Sequence, residues 1–381
     1  MKKLIAISVV FALVAGVAFA ADVSASVFGT ANVLQGNTGK DPATSEDSKV
    51  TSSGKMNRVR IDGSGEANEN FGGYFRFDRH HWDNGLAFTG NVWWKPIDQF
   101  KLMIGGNDGD GFIGKEGNTG WMFYQTPTDV DVTFGGENVW GGGLYGFGLT
   151  TRHAFYERGD GQEDVYLFIT PMDMLGINVI LPFISKNGQE TADEFKQAIA
   201  QIDLKLDFGN IALTYVGGRG YDKDKNIDEP ASIFLYFGGS FGDLSLDVGL
   251  GYHMAKAGGD VAQPIGIGVG LKYATDAFGV KFRTTVALAG EDKSTKILAD
   301  VLPYFPLSDN LTAFVSVGLG MVMPESGDSQ MGWHFNPYLQ VGEEWGAKFL
   351  AGIKVKSNGK GADGSDAVID WAIPVALIVS F

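Results

Sequence analysis

The sequence predicts an all-β protein: a closed antiparallel transmembrane β-barrel of about 18 to 20 strands, with roughly 16 and 22 as the bounds. Three observations predict it. The chain opens on an export signal, closes on an alternating strand that ends in an aromatic residue, and carries a glycine- and aromatic-rich composition between.

Met1-Lys2-Lys3 precedes an apolar stretch from Leu4 to Val17, and Ala18-Phe19-Ala20 followed by Ala21-Asp22 supplies the small residues of a cleavage site. Residues 1–20 are therefore expected to be a secretory signal, and residues 21–381 a single barrel. A retained helical anchor is the competing reading, against which the A-x-A site argues. The sequence contains no cysteine. It therefore has no lipidation site at the cleavage point, no disulfide framework and no thiolate metal site.

Beyond the signal no run of about 18 apolar residues remains, so helices cannot carry the mature chain across a bilayer. Glycine accounts for 55 of 381 residues, about twice the usual share of roughly 7%. Inside helices each would cost about 1 kcal/mol relative to alanine; in strands glycine permits bends and close approach.

The last strand is the most specific signal. Reading back from Phe381 by twos gives Val379, Leu377, Val375, Ile373, Trp371 and Ile369, an unbroken apolar face. Outer-membrane barrels of bacteria typically end on such a strand, which makes Phe381 the expected assembly signal, read by a barrel assembly machinery. The same period recurs upstream. Leu244, Leu246, Val248, Leu250 and Tyr252 alternate with Ser245, Asp247, Gly249 and Gly251; Ile265, Ile267, Val269, Leu271 and Tyr273 alternate with three glycines and Lys272. A soluble sandwich would carry long charged residues on its polar face. Small polar residues suit the inside of a barrel, with membrane lipid against the apolar face.

Connections alternate between tight and long. Short turns are expected near Pro96 to Asp98, Pro171 to Asp173, Phe208 to Asn210, Gly242-Asp243, Asp276 to Gly279, Pro306 to Asn310 and Gly342 to Trp345. The longer segments Gln35 to Lys55, Lys186 to Thr191, Arg219 to Pro230, Pro324 to Ser329 and Ser357 to Asp366 all contain acidic residues. About five strands precede Gly105 and about fourteen follow Leu144. One more between Gly106 and Gly143 would make the total even. Trp93, Trp94, Trp345 and Phe381 are expected to form an aromatic girdle at one interface.

The stretches Trp93 to Phe100, Ser245 to Tyr252, Asn336 to Gly352 and Pro374 to Phe381 resemble porin-like outer-membrane proteins of spirochaetes. The resemblance implies an outer-membrane barrel; a barrel with a polar lumen is expected to pass small hydrophilic solutes passively, with assembly into an oligomer compatible with it. It implies no cofactor and assigns no solute.

Arg58, Arg60 and Asp62 share one face of a strand, as do Tyr74, Arg76 and Asp78 on the next; Lys101, Lys281 and Arg283 face inward by the same rule. An arginine facing lipid near the midplane costs about 2–4 kcal/mol, so these charges should line the lumen. They are read either as a wall that selects solutes or as structural partners of interior carboxylates. Residues 106–143 carry Asp108, Asp110, Glu116, Asp129, Asp131 and Glu137. In general porins an acidic loop folds into the barrel opposite a basic wall, and Phe134-Gly135-Gly136-Glu137 resembles a glycine turn of such loops; an ordinary outer loop is the other reading.

No metal site is expected: a calcium loop aligned on Gly111 would place glycines at its first and last ligand positions. Catalysis has little to rest on. The cluster His80-His81-Trp82-Asp83 lacks an evident orienting group, and His153 has no serine two residues away. With 45 acidic against 30 basic residues and a net charge of −15, nucleic acid is excluded as a partner. A narrow or plugged barrel acting as a structural, adhesive or ligand-binding surface protein is the alternative function. A hydrophobic-compound channel is disfavoured by the polar segment Gln35 to Lys55.

Overall fold

The computed structural model describes residues 21–38, 50–80, 87–106, 112, 133–134, 137–138, 164–182, 198–217, 220–222, 227–229, 231–254, 265–288, 295–342, 347–357 and 368–380. Barrel strands in chain order are β1 Ala21–Asn37, β2 Thr51–Asn68, β3 Phe71–His80, β4 Ala87–Ile97, β5 Phe100–Gly105, β6 Asp164–Met172, β7 Leu175–Pro182, β8 Ile199–Leu206 and β9 Gly209–Val216. They continue with β10 Ser232–Phe241, β11 Leu244–His253, β12 Ile265–Ala274, β13 Gly279–Leu288, β14 Thr295–Ser308, β15 Leu311–Met323 and β16 Gln330–Gly342. The last two are β17, in the pieces Lys348–Gly352 and Lys354–Ser357, and β18 Ile369–Ser380.

Each strand pairs antiparallel with its neighbours, and β18 returns to β1, from Ser26 opposite Ser380 to Asn37 opposite Asp370. The result is a closed 18-stranded barrel with no edge left unpaired. β17 is interrupted at Ile353, which faces Pro337 on β16. The Ile353 N–H donates to the Pro337 carbonyl at 2.9 Å, but proline has no N–H to return.

Two expectations are corrected here. No wall strand lies between Gly106 and Gly143, because β5 pairs directly with β6, Gly105 opposite Asp164. The count is therefore five strands before Gly106 and thirteen after. Pro306 does not begin a turn: β14 runs through it to Ser308 and absorbs the missing donor as an irregularity in its pairing with β15.

All short connections lie at one end, including Glu69-Asn70, where the Asn68 side chain accepts hydrogen bonds from the N–H groups of Asn70 and Phe71 at 2.9 and 3.1 Å. At the β4–β5 turn the Lys95 ammonium, 2.7 Å from Asp98, draws that carboxyl below its ordinary pKa. By the asymmetry of this class, the short turns mark the periplasmic end.

Alternation assigns the two faces. On β18, Ile369, Ile373 and Leu377 are exposed, Leu377 to 54%, while Ala372, Ala376 and Ile378 are buried. On β11, Leu244, Leu250 and Tyr252 are exposed and Asp247 has no exposed surface. An exposed apolar face with a covered, largely polar face inverts the pattern of a soluble protein, and it fits a wall whose outside meets lipid.

The inner face also holds two apolar clusters. One spans β5 to β10 in the outer half: Met103, Tyr166, Ile180, Ile199, Val216 and Phe234, with Trp93 and Phe168 packed against it. The other spans β14 to β18 and β1 in the periplasmic half, where Phe28, Leu302, Leu350 and Ile378 surround the stacked rings of Tyr304, Phe314 and Tyr338. Trp93 thus corrects the girdle expectation: it points inward, whereas Trp94 faces out and stacks on Phe71, centroids 6.4 Å apart.

Candidate functional site: the inner wall

The polar lining is built from cross-strand pairs. On β2 and β3, Arg60 lies opposite Asp78, and Asp62 opposite Arg76. Arg60 Nε donates to Asp78 Oδ2 at 2.9 Å, with the guanidinium terminus on the same oxygen. Arg76 Nε donates to Asp62 Oδ1 at 2.6 Å, the Tyr74 hydroxyl donates to that oxygen as well, and the guanidinium lies 5.5 Å from the Tyr74 ring centroid. Arg60 and Arg76, two of the arginines named from the sequence, are therefore neutralised by the two aspartates on the same faces. Arg58 lies opposite Phe28 on β1 and His80 on β3; its side chain falls outside the described set.

A second network crosses three strands. Arg283 on β13 donates to Asp300 on β14 at 2.7 Å. The other Asp300 oxygen lies 3.6 Å from His334 Nε2 on β16, and that nitrogen is 3.0 Å from the Ser316 hydroxyl on β15. Asp300 and His334 meet across β15 because Gly318 stands between them. A Cβ there would come within 2.4 Å of Asp300 and 2.2 Å of His334, so glycine's lack of a side chain makes the bridge. Serine, histidine and aspartate together suggest a hydrolytic triad, but the geometry denies it. Serine and aspartate approach the same imidazole nitrogen, so no proton path runs from one through the ring to the other.

Other cations sit over rings. Lys101 Nζ lies 5.1 Å from the Trp93 centroid and 5.7 Å from that of Phe168, and Lys281 Nζ lies 5.8 Å from Tyr304. Three inward lysines on β17 escaped the sequence reading: Lys348, Lys354 and Lys356. Lys356 pairs with Asp370 at 3.8 Å. Alternation in Lys354-Val355-Lys356 was the signal available for two of them.

Of the acidic residues between β5 and β6, Asp108, Asp110, Glu116, Asp129 and Asp131 lie outside the described residues. Glu137 pairs with Phe134 in a two-residue ladder. Two points of that segment are fixed. Gly105, at φ +117°, turns the chain out of the wall, a conformation that favours glycine. Phe112 is then buried in the outer apolar cluster, its ring edge-on to Phe168 with centroids 6.1 Å apart. Thr133–Phe134 lies against β16, almost half the barrel's circumference away from β5. Phe381 and residues 1–20 are not among the described residues, and no three His, Asp or Glu side chains among those described converge on one point.

A closed 18-stranded antiparallel barrel with an apolar outside and an ion-paired inside is an integral protein of the bacterial outer membrane. Residues 6–319 match the family described as Gram-negative porin, and the chain belongs to that family. Among solved structures, it is similar to an anion-selective porin from Comamonas acidovorans, with 11% identity over 95% of this chain and 100% of that one and a TM-score of 0.52. It is also similar to the outer-membrane-expressed OmpT of Vibrio cholerae, with 12% identity over 94% and 97% of the two chains and a TM-score of 0.48. No curated protein matches it.

Proposed function

We propose that this porin passes small hydrophilic solutes through a lumen lined by Arg58, Arg60, Arg76, Lys101, Lys281 and Arg283, narrowed by residues 106–143. One observation carries the reading: Phe112 packs on the inner wall at β6, while Thr133–Phe134 lies against β16 on another side of the barrel. Two points of the segment placed on different sides of the wall support that reading. Asp108, Asp110, Glu116, Asp129, Asp131 and Glu137 then supply the acidic side of a constriction whose other side is the paired basic wall. The similar Comamonas porin is anion-selective; a mixed lining of this kind passes ions of both signs. Residues 1–20 act as a cleaved signal, Phe381 serves the assembly machinery, and the barrel is compatible with an oligomer. The likeness to spirochaete proteins rests on strand and turn motifs and assigns no solute.

Single-channel recording of the purified mature protein in planar bilayers tests this. Stepwise ohmic conductance that grows with salt supports it; a folded barrel that inserts without conductance refutes it. A second reading has an observation of its own. Gln201, Asp247 and Asn336 on the inner wall have no exposed surface, and neither amide atom of Asn336 has a hydrogen-bond partner among the described residues. Such covering favours a narrow or plugged barrel, for which the same recording shows no steps.

A further inference from the structure

We propose that the lipid-facing surface of β3 binds an anionic, phosphate-bearing lipid of the outer leaflet, with its phosphate on Arg79 and an acyl chain along the rings of Phe75, Phe77 and Phe88. Arg79 stands opposite Val59 and next to the inward Asp78, so alternation turns it outward. It is exposed, and among the described residues it is the sole charged side chain on the outward face of a barrel strand. Among those residues it has no hydrogen bond, ion pair or ring contact. The other arginines whose side chains are described, Arg60, Arg76 and Arg283, each hold an aspartate. A second copy of the chain offers Arg79 no partner, because the described outward face carries no carboxylate. Lipid headgroups carry phosphate.

The height of Arg79 decides what it meets. It lies eight residues up β3 from Phe71, which stacks on Trp94 at the periplasmic end. At about 3.4 Å per residue and a strand tilt of about 40°, that is a rise of roughly 20 Å. The apolar band of such barrels is about 25 Å tall, and a long arginine side chain covers the remainder, so the guanidinium reaches the outer headgroups. A charge facing lipid is costly near the midplane and tolerated at the interface. There the planar guanidinium matches a pair of phosphate oxygens. Below Arg79 the surface is aromatic. The Phe77 ring lies 5.8 Å from that of Phe75 and 5.1 Å from that of Phe88, centroid to centroid. Phe75 lies across Gly63 and Phe88 across Gly90: a Cβ would come within 2.3 Å of the first ring and 3.1 Å of the second. The glycines let both rings lie against the wall, which leaves a smooth floor for a hydrocarbon chain running down from the phosphate.

The site lies outside the barrel, so its test is independent of conduction. The purified barrel in detergent is titrated with dioleoyl phosphatidic acid and, separately, with dioleoyl phosphatidylcholine, and bound lipid is counted by native mass spectrometry. The wild type should hold one phosphatidic acid per barrel in preference to phosphatidylcholine. Arg79→Gln leaves no buried group unpaired, so it folds as the wild type does. It should bind phosphatidic acid about tenfold more weakly, the loss of one charged hydrogen-bonded contact, and phosphatidylcholine equally well. Arg79→Lys, which keeps the charge but not the planar fork, should fall between. Lys95→Gln removes a cation from the β4–β5 turn and should bind like the wild type; an equal loss there would assign the effect to net charge and overturn the site. Inorganic phosphate at the lipid's concentration should not displace it, since phosphate lacks the chain; full displacement would overturn the acyl-chain contact. A wild type without preference for phosphatidic acid, or an Arg79→Gln variant that keeps it, overturns the proposal.

Discussion

Replacing Arg283 with methionine should destabilise the barrel far more than replacing Arg283 and Asp300 together. Asp300 is 1% exposed and Arg283 14%, so the carboxylate has little water to fall back on when its partner is removed. One oxygen loses the 2.7 Å bond to Arg283, and the other has no hydrogen bond, only His334 Nε2 at 3.6 Å. Breaking a buried pair by removing one partner costs about 3–5 kcal/mol. The lumen-side exposure of Arg283 places this case at about 3 kcal/mol, near the upper end for a charged hydrogen bond. The R283M/D300L variant leaves no unpaired charge and should lie within about 1 kcal/mol of the wild type, since well-packed apolar replacements of buried pairs are close to neutral. Guanidinium unfolding in detergent, followed by tryptophan fluorescence, measures both. The single variant should show a lower midpoint at unchanged slope. Equal losses in the single and double variants would refute the reasoning, because they would show that the cost comes from packing of the arginine stem.

Phe112→Ala should free the anchor of the segment after β5 and raise single-channel conductance; unchanged conductance would detach that anchor from the bore. Exchanging the charges of one cross-strand pair, R60D/D78R, should keep fold and ion selectivity near the wild type, whereas Arg60→Asp alone sets two carboxylates face to face and should shift reversal potentials towards cations. That shift should shrink in high salt, and an equal shift in both variants would mean that pairing is irrelevant. Gly318→Ala should cost about 1–3 kcal/mol by forcing Asp300 and His334 apart; an unaltered unfolding midpoint would show that the bridge yields freely. Mature protein from membranes should begin at Ala21 or Asp22, and loss of Phe381 should lower the folded yield in the outer membrane; an intact leader or a normal yield would remove those assignments.

The strand-by-strand fold was legible because lipid on one side and water on the other impose a period of two on every strand. The run from Ile369 to Val379 displays that period without interruption. Positions where local chemistry competes with the period were harder to read. Pro306 looked like a turn because it lacks a donor, yet an irregular register absorbs the loss. Trp93 looked like an interface residue because Trp94 is one, although neighbours on a strand must face opposite ways. The charges on the inner wall could be named from alternation, since burying them in lipid costs too much. Their partners could not: whether Arg60 meets Asp78 depends on a register that one sequence does not determine. Lys272 was visible as an inward residue, but its opposition to Lys281 exists only once β12 and β13 are paired. Residues 106–143 have no period, and their two fixed points come from packing alone.

The two apolar clusters on the inner face lie on opposite sides of the barrel and at different heights. The wettable surface is therefore a diagonal band rather than a ring. It descends past Asp300, His334 and Lys356 on one flank of the outer half, and past Asp203, Asp247 and Lys272 on the other flank of the periplasmic half. An ion that keeps to charged wall must change sides midway, at the level where Phe112 enters. In a barrel that conducts as proposed, that crossing would be the stretch with the least charged wall to replace an ion's hydration, so the two apolar clusters would act on an ion by their offset in height rather than by narrowing either mouth.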